Sequence, residues 1–469
     1  MNREYIYHAF TRTLCSKCGT LVDGKIVYND AGVFALKLCP SCGEHMELLE
    51  EDARYHLRKH LYDKPGTLSA TQTGFAKGCP YDCGLCANHD QHTCIGLIEI
   101  TGRCDLGCPM CYANCGGCGD GGGDSGGGDG GGDDLALDVI EKMMDFYMEA
   151  EGGSAELLQI SGGEPTLHSD VLDIIKMAKS KGFKYVMLNT NGIRLARDEA
   201  FVSELGRFRG GFEVYLQFDG LDDQVYLKTR GKAMSDIKRQ AIANLRKHNI
   251  PTTLVATIEN GVNDHLCGEI LVYGMKEACV RGVNFQPLGY YGEIAAPRDR
   301  VTLSGVLNRI ESQTGRLIRA SDFIPLPCNV ERVAITFLLK GKKGFIPITR
   351  DRDLSELKNY IGNTFVFTVE NTLRNFNQDS KLFSNGACCD LIDDLKRIVP
   401  KNYMMKSKEE KLRFVDENTF RVSVSSFVDR YNFDMKSAQK ECAHIITPDL
   451  KRVPFSTYNI LHRRKLSGA

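Results

Sequence analysis

Short runs of apolar and β-branched residues alternate with amphipathic helical stretches along residues 135–300. Two of these stretches run from Val171 to Lys181 and from Met234 to His248, with apolar residues at helical spacing. The strand-like runs are Leu157–Ile160, Tyr185–Leu188, Val214–Phe218, Thr253–Thr257 and Val283–Gln286, and a similar run, Leu97–Ile100, precedes them. Strands separated by helices of this length predict repeated βαβ units, and therefore an α/β fold with a parallel sheet or barrel.

Two segments depart from this pattern. Residues 115–134 are almost entirely Gly and Asp, so we expect a flexible loop that buries no apolar surface. Beyond about residue 300 the alternation is lost, which indicates a mixed C-terminal domain over residues 301–469. The other predicted boundaries enclose a cysteine-knuckle domain at 1–60, an auxiliary cluster segment at 61–95 and the βα domain at 96–300.

The composition of the chain argues against some classes of protein and favours one that binds metals. The 469 residues include 59 Lys+Arg and 60 Asp+Glu, and a net charge of -1 argues against a nucleic-acid-binding protein. We find neither an apolar run of about 18 residues nor a secretion signal at Met1, so we expect a cytoplasmic protein. In a reducing compartment, the 19 cysteines are better explained by metal ligation than by disulfides.

One cysteine group has a spacing with direct chemical meaning. Cys104, Cys108 and Cys111 form a Cys-x3-Cys-x2-Cys motif just after the Leu97–Ile100 run. Three thiolates on a cubane iron-sulfur cluster leave one iron with an open coordination position for a substrate or cofactor. About 50 residues later, Ser161-Gly-Gly-Glu-Pro-Thr166 follows the next predicted strand.

These two motifs together resemble the radical S-adenosylmethionine (radical SAM) family. The resemblance implies a partial (β/α)6 barrel, a 4Fe-4S cluster on the three cysteines, and SAM bound at its open iron. Gly162 and Gly163 let the backbone approach a ligand closely, and the carboxylate of Glu164 is suited to accept hydrogen bonds from the amine of methionine. Polar groups at later strand ends are further candidates for cofactor contacts: Asn191, Asp219, Asn260 and Asn263.

Three further cysteine groups suggest additional metal centres. The first, two Cys-x2-Cys knuckles, suits one tetrahedral zinc or a rubredoxin-like iron; its members are Cys15, Cys18, Cys39 and Cys42. The second is expected to hold an auxiliary cluster; its members are Cys79, Cys83, Cys86 and Cys94. The third would form a second auxiliary cluster only if the fold brings its members together; they are Cys328, Cys388, Cys389 and Cys442. In contrast, we expect His56 and His60 to lie on a solvated helix face.

Within the radical SAM family, the chain resembles the archaeal tetraether lipid synthase group over nearly its full length. This resemblance rests on the knuckles, on Gly78–His89, on Val262–His265 and on the C-terminal runs Cys442–Asp449 and Pro454–Asn459. It implies carbon–carbon coupling between the termini of isoprenoid lipid chains, driven by a 5'-deoxyadenosyl radical. It also implies an electron donor such as ferredoxin or flavodoxin and peripheral contact with a membrane.

Two other functions remain open. Members of the same group have been described as methylases of 7,8-dihydro-6-hydroxymethylpterin, in which SAM is both methyl donor and radical source. A long apolar cavity would favour the lipid, whereas a small cavity with hydrogen-bonding groups would favour the pterin. The third hypothesis is a non-enzymatic electron-transfer protein with several clusters. No radical-quenching residue can be assigned, and Tyr290, Tyr291 and Tyr458 are candidates that also suit an aromatic core.

Overall fold

The computed structural model describes most of the chain. It covers residues 4–67, 69–113, 134–292, 294, 299–341, 344–352, 354–355, 358, 361–363, 402, 405–407, 410, 414 and 418–463. The predicted Gly/Asp loop at 115–133 and the candidate ligands Cys388 and Cys389 lie outside these residues.

An antiparallel sheet of four strands forms the N-terminal region. The strands pair in chain order and are β1 (Ile6–Leu14), β2 (Leu21–Asn29), β3 (Gly32–Cys39) and β4 (Gly43–Glu50). Each connection is short, so neighbouring strands in sequence are also neighbours in the sheet. The helix α1 (Ala53–Lys59) follows, and its first turn is capped by the Asp52 carboxylate, which accepts hydrogen bonds from the amides of Arg54 and Tyr55.

Six parallel strands form the centre of a second, larger sheet, as the βα alternation predicts. They are β5 (Ile95–Glu99), β6 (Leu157–Ser161), β7 (Tyr185–Thr190), β8 (Phe212–Gln217), β9 (Thr252–Ile258) and β10 (Val280–Pro287). The helices between them are α2 (Leu137–Ala150), α3 (Val171–Ser180), α4 (Ile193–Arg197), α5 (Glu199–Leu205), α6 (Asp223–Arg230), α7 (Ser235–Lys247) and α8 (Cys267–Lys276). The predicted α/β fold class is therefore confirmed.

C-terminal strands extend this sheet at both edges. At the β10 edge lie α9 (Leu303–Gln313), β11 (Ile324–Pro325), β12 (Val333–Gly341), β13 (Gly344–Pro347) and β14 (Thr419–Ser425). At the β5 edge lie α10 (Met435–Gln439), β15 (Ala443–Ile446), β16 (Arg452–Pro454) and α11 (Phe455–Thr457). Strand β14 runs parallel to β10, and β15 runs parallel to β5. The C-terminal region thus covers both edges of the barrel sheet.

Apolar side chains fill the space between the parallel strands and their helices. The helix α2 contributes the buried residues Ile140, Met144 and Tyr147 to this core. Gly96 on β5 is required by this packing, because a Cβ there would come within 2.3 Å of the Tyr147 ring. No helix among the described residues has the length and apolar character needed to cross a membrane.

A buried arginine connects three segments of the chain near β5. Arg452 is 0% exposed, and its guanidinium pairs with Glu151 at the end of α2. It also donates hydrogen bonds to Gln72 Oε1 (2.9 Å), Ser69 Oγ (2.8 Å) and the carbonyl of Ala70 (3.0 Å). One side chain therefore connects residues 69–72, helix α2 and strand β16.

Replacing this cation tests its structural role. We expect Arg452→Met to lower the free energy of unfolding by about 3–5 kcal/mol, because it leaves the Glu151 carboxylate buried without its partner. Lys142→Met is the control, since it removes an exposed pair with Asp138, and the urea midpoint should hardly change. Equal midpoint shifts in the two variants would contradict the assignment.

Candidate active site and metal centres

A cavity of about 210 Å³ opens at the carboxyl ends of the parallel strands, where barrel enzymes place their sites. Cys104, Cys108 and Cys111 all border it, as do Gly162, Gly163, Glu164 and Asn191. The structure thus brings the three-cysteine motif and four of the predicted cofactor contacts to one cavity. Three thiols with an open side towards a cavity are a donor set that fits a cluster with one accessible iron.

The two glycines hold the backbone of the cysteine loop. Gly163 donates its amide to the carbonyl of Thr101 (2.8 Å), and the next amide, of Glu164, bonds the carbonyl of Arg103 (2.8 Å). A Cβ on Gly162 would lie 2.4 Å from the Thr101 carbonyl oxygen, and one on Gly163 would lie 2.3 Å from that of Arg103. The glycines therefore permit a close backbone contact with the cysteine loop, and both also line the cavity.

The carboxylate of Glu164 is largely occupied by the protein itself. It accepts hydrogen bonds from the hydroxyls of Thr166 (2.5 Å) and Thr190 (2.7 Å), and from the amide of Asn191 (2.7 Å). Burial raises its pKa above the ordinary value. Asn191 in turn donates to Asp105 Oδ1 (2.6 Å), inside the cysteine motif. Glu164 thus positions the turn after β7 against the cysteine loop.

A buried ion pair lies behind the cysteine cluster. Arg230 donates to both carboxylate oxygens of Asp219 (2.6 and 3.0 Å), and its Nη1 lies 4.0 Å from Cys108 Sγ. The side-chain amide of Asn263 donates a hydrogen bond to the backbone carbonyl of Asp219 (2.9 Å). Asp219 and Asn263 therefore stabilise the backbone next to the cavity and do not line the cavity itself. Asn260 is exposed on the turn after β9. These three predicted cofactor contacts are thus placed outside the cavity lining, whereas Arg230 is part of it.

Lys238 lies next to the cavity and was not among the candidates from the sequence. It is fully buried on α7, and its Nζ donates to the carbonyl of Asn191 at 2.6 Å. Burial, together with the nearby Arg230 cation, lowers its pKa to about 7. The signal was available in the sequence, because Lys238 lies on the apolar side of the amphipathic stretch at 234–248.

The cavity has a polar floor and a more apolar side wall. The floor consists mainly of inward-facing residues of strands β6, β7, β8 and β10: Gln159, Asn189, Tyr215, Gln217, Asn284 and Gln286. The apolar wall is formed mainly by Leu97, Leu288, Tyr291, Val333, Phe427 and Phe455. The hydroxyl of Tyr291 donates to the carbonyl of Val428 (2.9 Å). Among the three candidate tyrosines, Tyr291 alone lines the cavity, within the described residues.

A carboxyl group also faces this cavity. Glu441 is buried, and it accepts hydrogen bonds from the amide (3.0 Å) and hydroxyl (2.7 Å) of Ser456. Burial raises its pKa to about 7. The cavity therefore offers amides, hydroxyls and a carboxyl group whose pKa lies well above its ordinary value.

The N-terminal knuckles converge on one point. The sulfurs of Cys15, Cys18, Cys39 and Cys42 all lie within 4.8 Å of one another. Cys18 Sγ and Cys39 Sγ are 3.7 Å apart. Sulfur ligands at about 2.3 Å from a tetrahedral zinc would be about 3.8 Å apart, so the four thiols fit one such ion.

The auxiliary cysteines group differently from the sequence prediction. The buried sulfurs of Cys94, Cys328 and Cys442 lie within 4.8 Å of one another. The amide of Cys94 bonds the carbonyl of Cys442 (2.8 Å), because parallel pairing of β5 with β15 aligns the two strand starts. The structure therefore places Cys94 with the third cysteine group, and its predicted assignment to the group of Cys79, Cys83 and Cys86 is corrected. Those three remain as a second Cys-x3-Cys-x2-Cys run.

The expectation of a solvated face is wrong for His56, whereas His60 is partly exposed. His56 is 2% exposed, and its Nε2 lies 3.5 Å from that of His60. Burial and the Lys59 ammonium lower the pKa of His56 to about 2, which keeps the ring neutral. Helical spacing alone did not show that strand β1 and the segment before β12 cover this face.

Comparisons with known proteins define the class of this site. Residues 98–271 match the family model described as "Radical SAM superfamily", and residues 7–51 match "HMPTM N-terminal zinc ribbon domain". The chain belongs to the radical SAM superfamily and is a radical SAM enzyme. Its cofactors are accordingly a 4Fe-4S cluster and SAM, with auxiliary metal sites at its further cysteine groups.

Particular relatives can then be named. The chain is 31% identical over 495 residues to 7,8-dihydro-6-hydroxymethylpterin dimethyltransferase of Methanocaldococcus jannaschii, covering 97% of this chain and 94% of that protein. It is 28% identical to a probable GTP 3',8-cyclase of Methanothermobacter thermautotrophicus, over 36% of this chain and 49% of that protein. Among solved structures, Streptococcus suis SuiB matches with a TM-score of 0.39 and 13% identity, covering 48% of this chain and 47% of that one.

The glycine contact leads to a prediction for metal loading. We expect Gly163→Ala to reduce reconstituted iron by about one cluster per chain, because its Cβ would displace the Arg103 carbonyl and the cysteine loop that follows. Gly74→Ala is the matched control, since a Cβ there meets no atom within 4 Å. Iron analysis of both variants measures the effect. Full iron content in Gly163→Ala would show that the loop tolerates the displacement.

The buried lysine leads to a prediction for pH dependence. The pKa of Lys238 has its ordinary value of 10.5 in the unfolded chain, but burial lowers this pKa to about 7 in the folded one. Between these values the unfolded chain binds more protons, so this residue makes stability rise with pH. Relative to Lys238→Met, the wild type should therefore gain free energy of unfolding from pH 7 to pH 9.

Urea denaturation at the two pH values measures this gain. Lys247→Met provides the control, because Lys247 is an exposed residue at the end of the same helix. A difference between wild type and Lys238→Met that does not change with pH would refute the shifted titration.

Proposed function

We propose that this enzyme methylates a carbon of a small dihydropterin, with 7,8-dihydro-6-hydroxymethylpterin as the best-supported substrate. The observation that carries this proposal is the polar floor of the cavity, since a parallel α/β barrel is ordinarily filled by branched apolar side chains. The similarity to the Methanocaldococcus jannaschii protein of that name supports the same substrate. This reverses the order of the two functions expected from the sequence, where lipid coupling came first.

The floor provides a connected set of donors and acceptors. Asn284 and Gln286 both donate to the hydroxyl of Tyr215, the latter at 3.3 Å. The carbonyl oxygen of Asn284 accepts from Ser423 (2.9 Å) and Ser425 (3.1 Å). These bonds fix the orientation of the amides before a ligand binds. A pterin presents ring nitrogens, an amino group and a carbonyl along its edge, which match such groups.

The apolar wall complements the flat face of the same ring. Tyr291, Phe427 and Phe455 line one side of the cavity, and the rings of Phe427 and Phe455 are 4.9 Å apart. Aromatic side chains favour offset or edge contacts with a planar ligand. A polar edge and an apolar face together define a site for a heterocycle.

Each group near the cysteines has a distinct proposed role. Cys104, Cys108 and Cys111 hold the cluster, and Arg230 places a positive charge beside Cys108. Glu164 and Asn191 fix the loop that carries the cysteines. When bound there, SAM supplies a 5'-deoxyadenosyl radical able to abstract hydrogen from an unactivated carbon, given electrons from a donor such as ferredoxin or flavodoxin.

Coupling of isoprenoid lipid chains is the second candidate. It is favoured by the apolar wall, where Leu97, Leu288 and Val333 would contact an alkyl terminus. The polar floor opposes it, because amides that face an alkyl chain would lose their hydrogen bonds to water without replacement. An apolar substitution in the polar floor should therefore weaken binding of a pterin but not of a lipid.

The experiment is an anaerobic assay of 5'-deoxyadenosine after reconstitution with iron and sulfide. We expect the dihydropterin, with SAM and dithionite, to stimulate its formation and to yield a methylated product by mass spectrometry. Gln286→Leu should raise the KM for the pterin by about tenfold, as expected for one lost hydrogen bond in a buried site. Cys108→Ala should abolish cleavage with any substrate.

The outcomes separate the candidates. Stimulation by a diether lipid alone, with Gln286→Leu no worse than wild type, would move the assignment to lipid coupling. Absence of SAM cleavage in an iron-replete wild-type protein would contradict both proposals.

A further inference from the structure

Three imidazoles converge away from the cysteine groups. His8 lies on β1, while His56 and His60 lie one helical turn apart on α1 and the turn that follows it. One ring nitrogen from each histidine lies within 4.8 Å of the others. The cluster sits where the N-terminal sheet meets the segment that leads into β12.

The spacing of the rings matches the ligands of a single ion. The ring centroids are 5.1 Å apart for His8 and His56, 5.3 Å for His8 and His60, and 5.0 Å for His56 and His60. Imidazoles that bind a tetrahedral zinc at about 2.0–2.1 Å have nitrogens about 3.3 Å apart and ring centroids about 5.2 Å apart. The observed nitrogen separation for His56 and His60 is 3.5 Å.

A carboxylate lies beside one member of this cluster. Glu331 places Oε1 3.6 Å from the Nε2 of His60, and its other oxygen binds Lys59 at 2.6 Å. Lys59 also contacts Glu50 at 3.4 Å, so two carboxylates offset its charge beside the histidines. A separate void of about 10 Å³ borders His56, Lys59 and Glu331 on the side away from His8 and His60, which do not line it. That volume is close to what a single water-sized particle occupies.

Hydrogen bonding within the protein satisfies this cluster only in part. His56 is almost fully buried, and its Nδ1 has no hydrogen-bond partner among the residues that the structure describes. Its Nε2 lies 3.5 Å from the Nε2 of His60, so one ring can donate a single long hydrogen bond to the other. A cation between the rings would instead bind a lone pair from each nitrogen.

We propose that His8, His56 and His60 form a binding site for a divalent transition metal of the zinc type, with Glu331 completing the ligand set. Three imidazoles and one carboxylate are ligands that zinc accepts in a tetrahedral site. The ion would connect β1, α1 and the segment before β12. It would therefore fix the N-terminal sheet against the barrel, in addition to contacts such as the hydrogen bonds from Lys37 Nζ to the carbonyls of Arg430 (3.1 Å) and Tyr431 (2.7 Å).

Zinc X-ray absorption on the full-length, iron-reconstituted protein tests this site. The protein is incubated with zinc chloride and desalted. We expect a shell of nitrogen or oxygen atoms at about 2.0–2.1 Å, distinct from any sulfur shell at about 2.3 Å from the cysteine knuckles. This measurement does not depend on whether the knuckles hold zinc or iron, and iron-sulfur clusters do not interfere with it.

Variants assign the shell to these residues. We expect His60→Gln and His56→Ala each to lose about one zinc per chain and the nitrogen shell, while His248→Gln, at a half-buried histidine just after α7 and outside the cluster, loses neither. His60 is partly exposed, and glutamine keeps a polar side chain at this position. The circular dichroism of the His60→Gln variant should therefore match that of the wild type. A wild-type zinc edge with sulfur ligands alone, or zinc content unchanged in both cluster variants, would overturn the proposal.

Discussion

The parallel pairing of β5 with β15 and β6 is the constraint on which the metal chemistry of this protein depends. Cys94 immediately precedes β5, and the loop with Cys104, Cys108 and Cys111 follows it. Pairing with β15 brings Cys442 beside Cys94, and pairing with β6 brings the glycine pair against the cysteine loop. A five-residue strand spans about 17 Å, so β5 sets the separation between the two thiol groups at its ends.

The two faces of the same sheet have different roles, since one packs on the helices and the other lines the cavity. The outer surfaces of its parallel strands pack on helices and form the apolar core, while the inward-facing positions of β6 to β10 carry amides and hydroxyls. Those polar groups would destabilise a sealed barrel, yet here they bond one another or face the cavity. C-terminal strands complete the wall that the six-stranded sheet leaves open, and they contribute Ser425, Phe427 and Glu441 to the cavity lining.

The sequence predicted what depends on local pattern. Helical and strand periodicity placed the six parallel strands, and the spacing of Cys104, Cys108 and Cys111 pointed to a loop that borders the cavity. It failed where partners are distant in the chain. Cys94 lies only eight positions after Cys86, but its thiol neighbours come from residues 328 and 442. Sequence spacing cannot show which strand will pair with the free edge of β5.

Two basic side chains near the cysteine loop share one physical feature, which is burial. Arg230 and Lys238 look like surface cations in a sequence, yet both are buried behind the cysteine loop. Thiolates bound to a cluster bring negative charge into a site that already contains Asp219 and Glu164. Burial raises the pKa of the Cys108 thiol, and the nearby Arg230 guanidinium acts in the opposite direction, favouring the thiolate that iron requires. Because Asp219 binds Nε and Nη2 of that guanidinium, the ion pair sets where the positive charge lies relative to the cysteine loop. We therefore propose that the strand-end aspartate acts on the cofactor through the arginine that it orients, and not by direct contact.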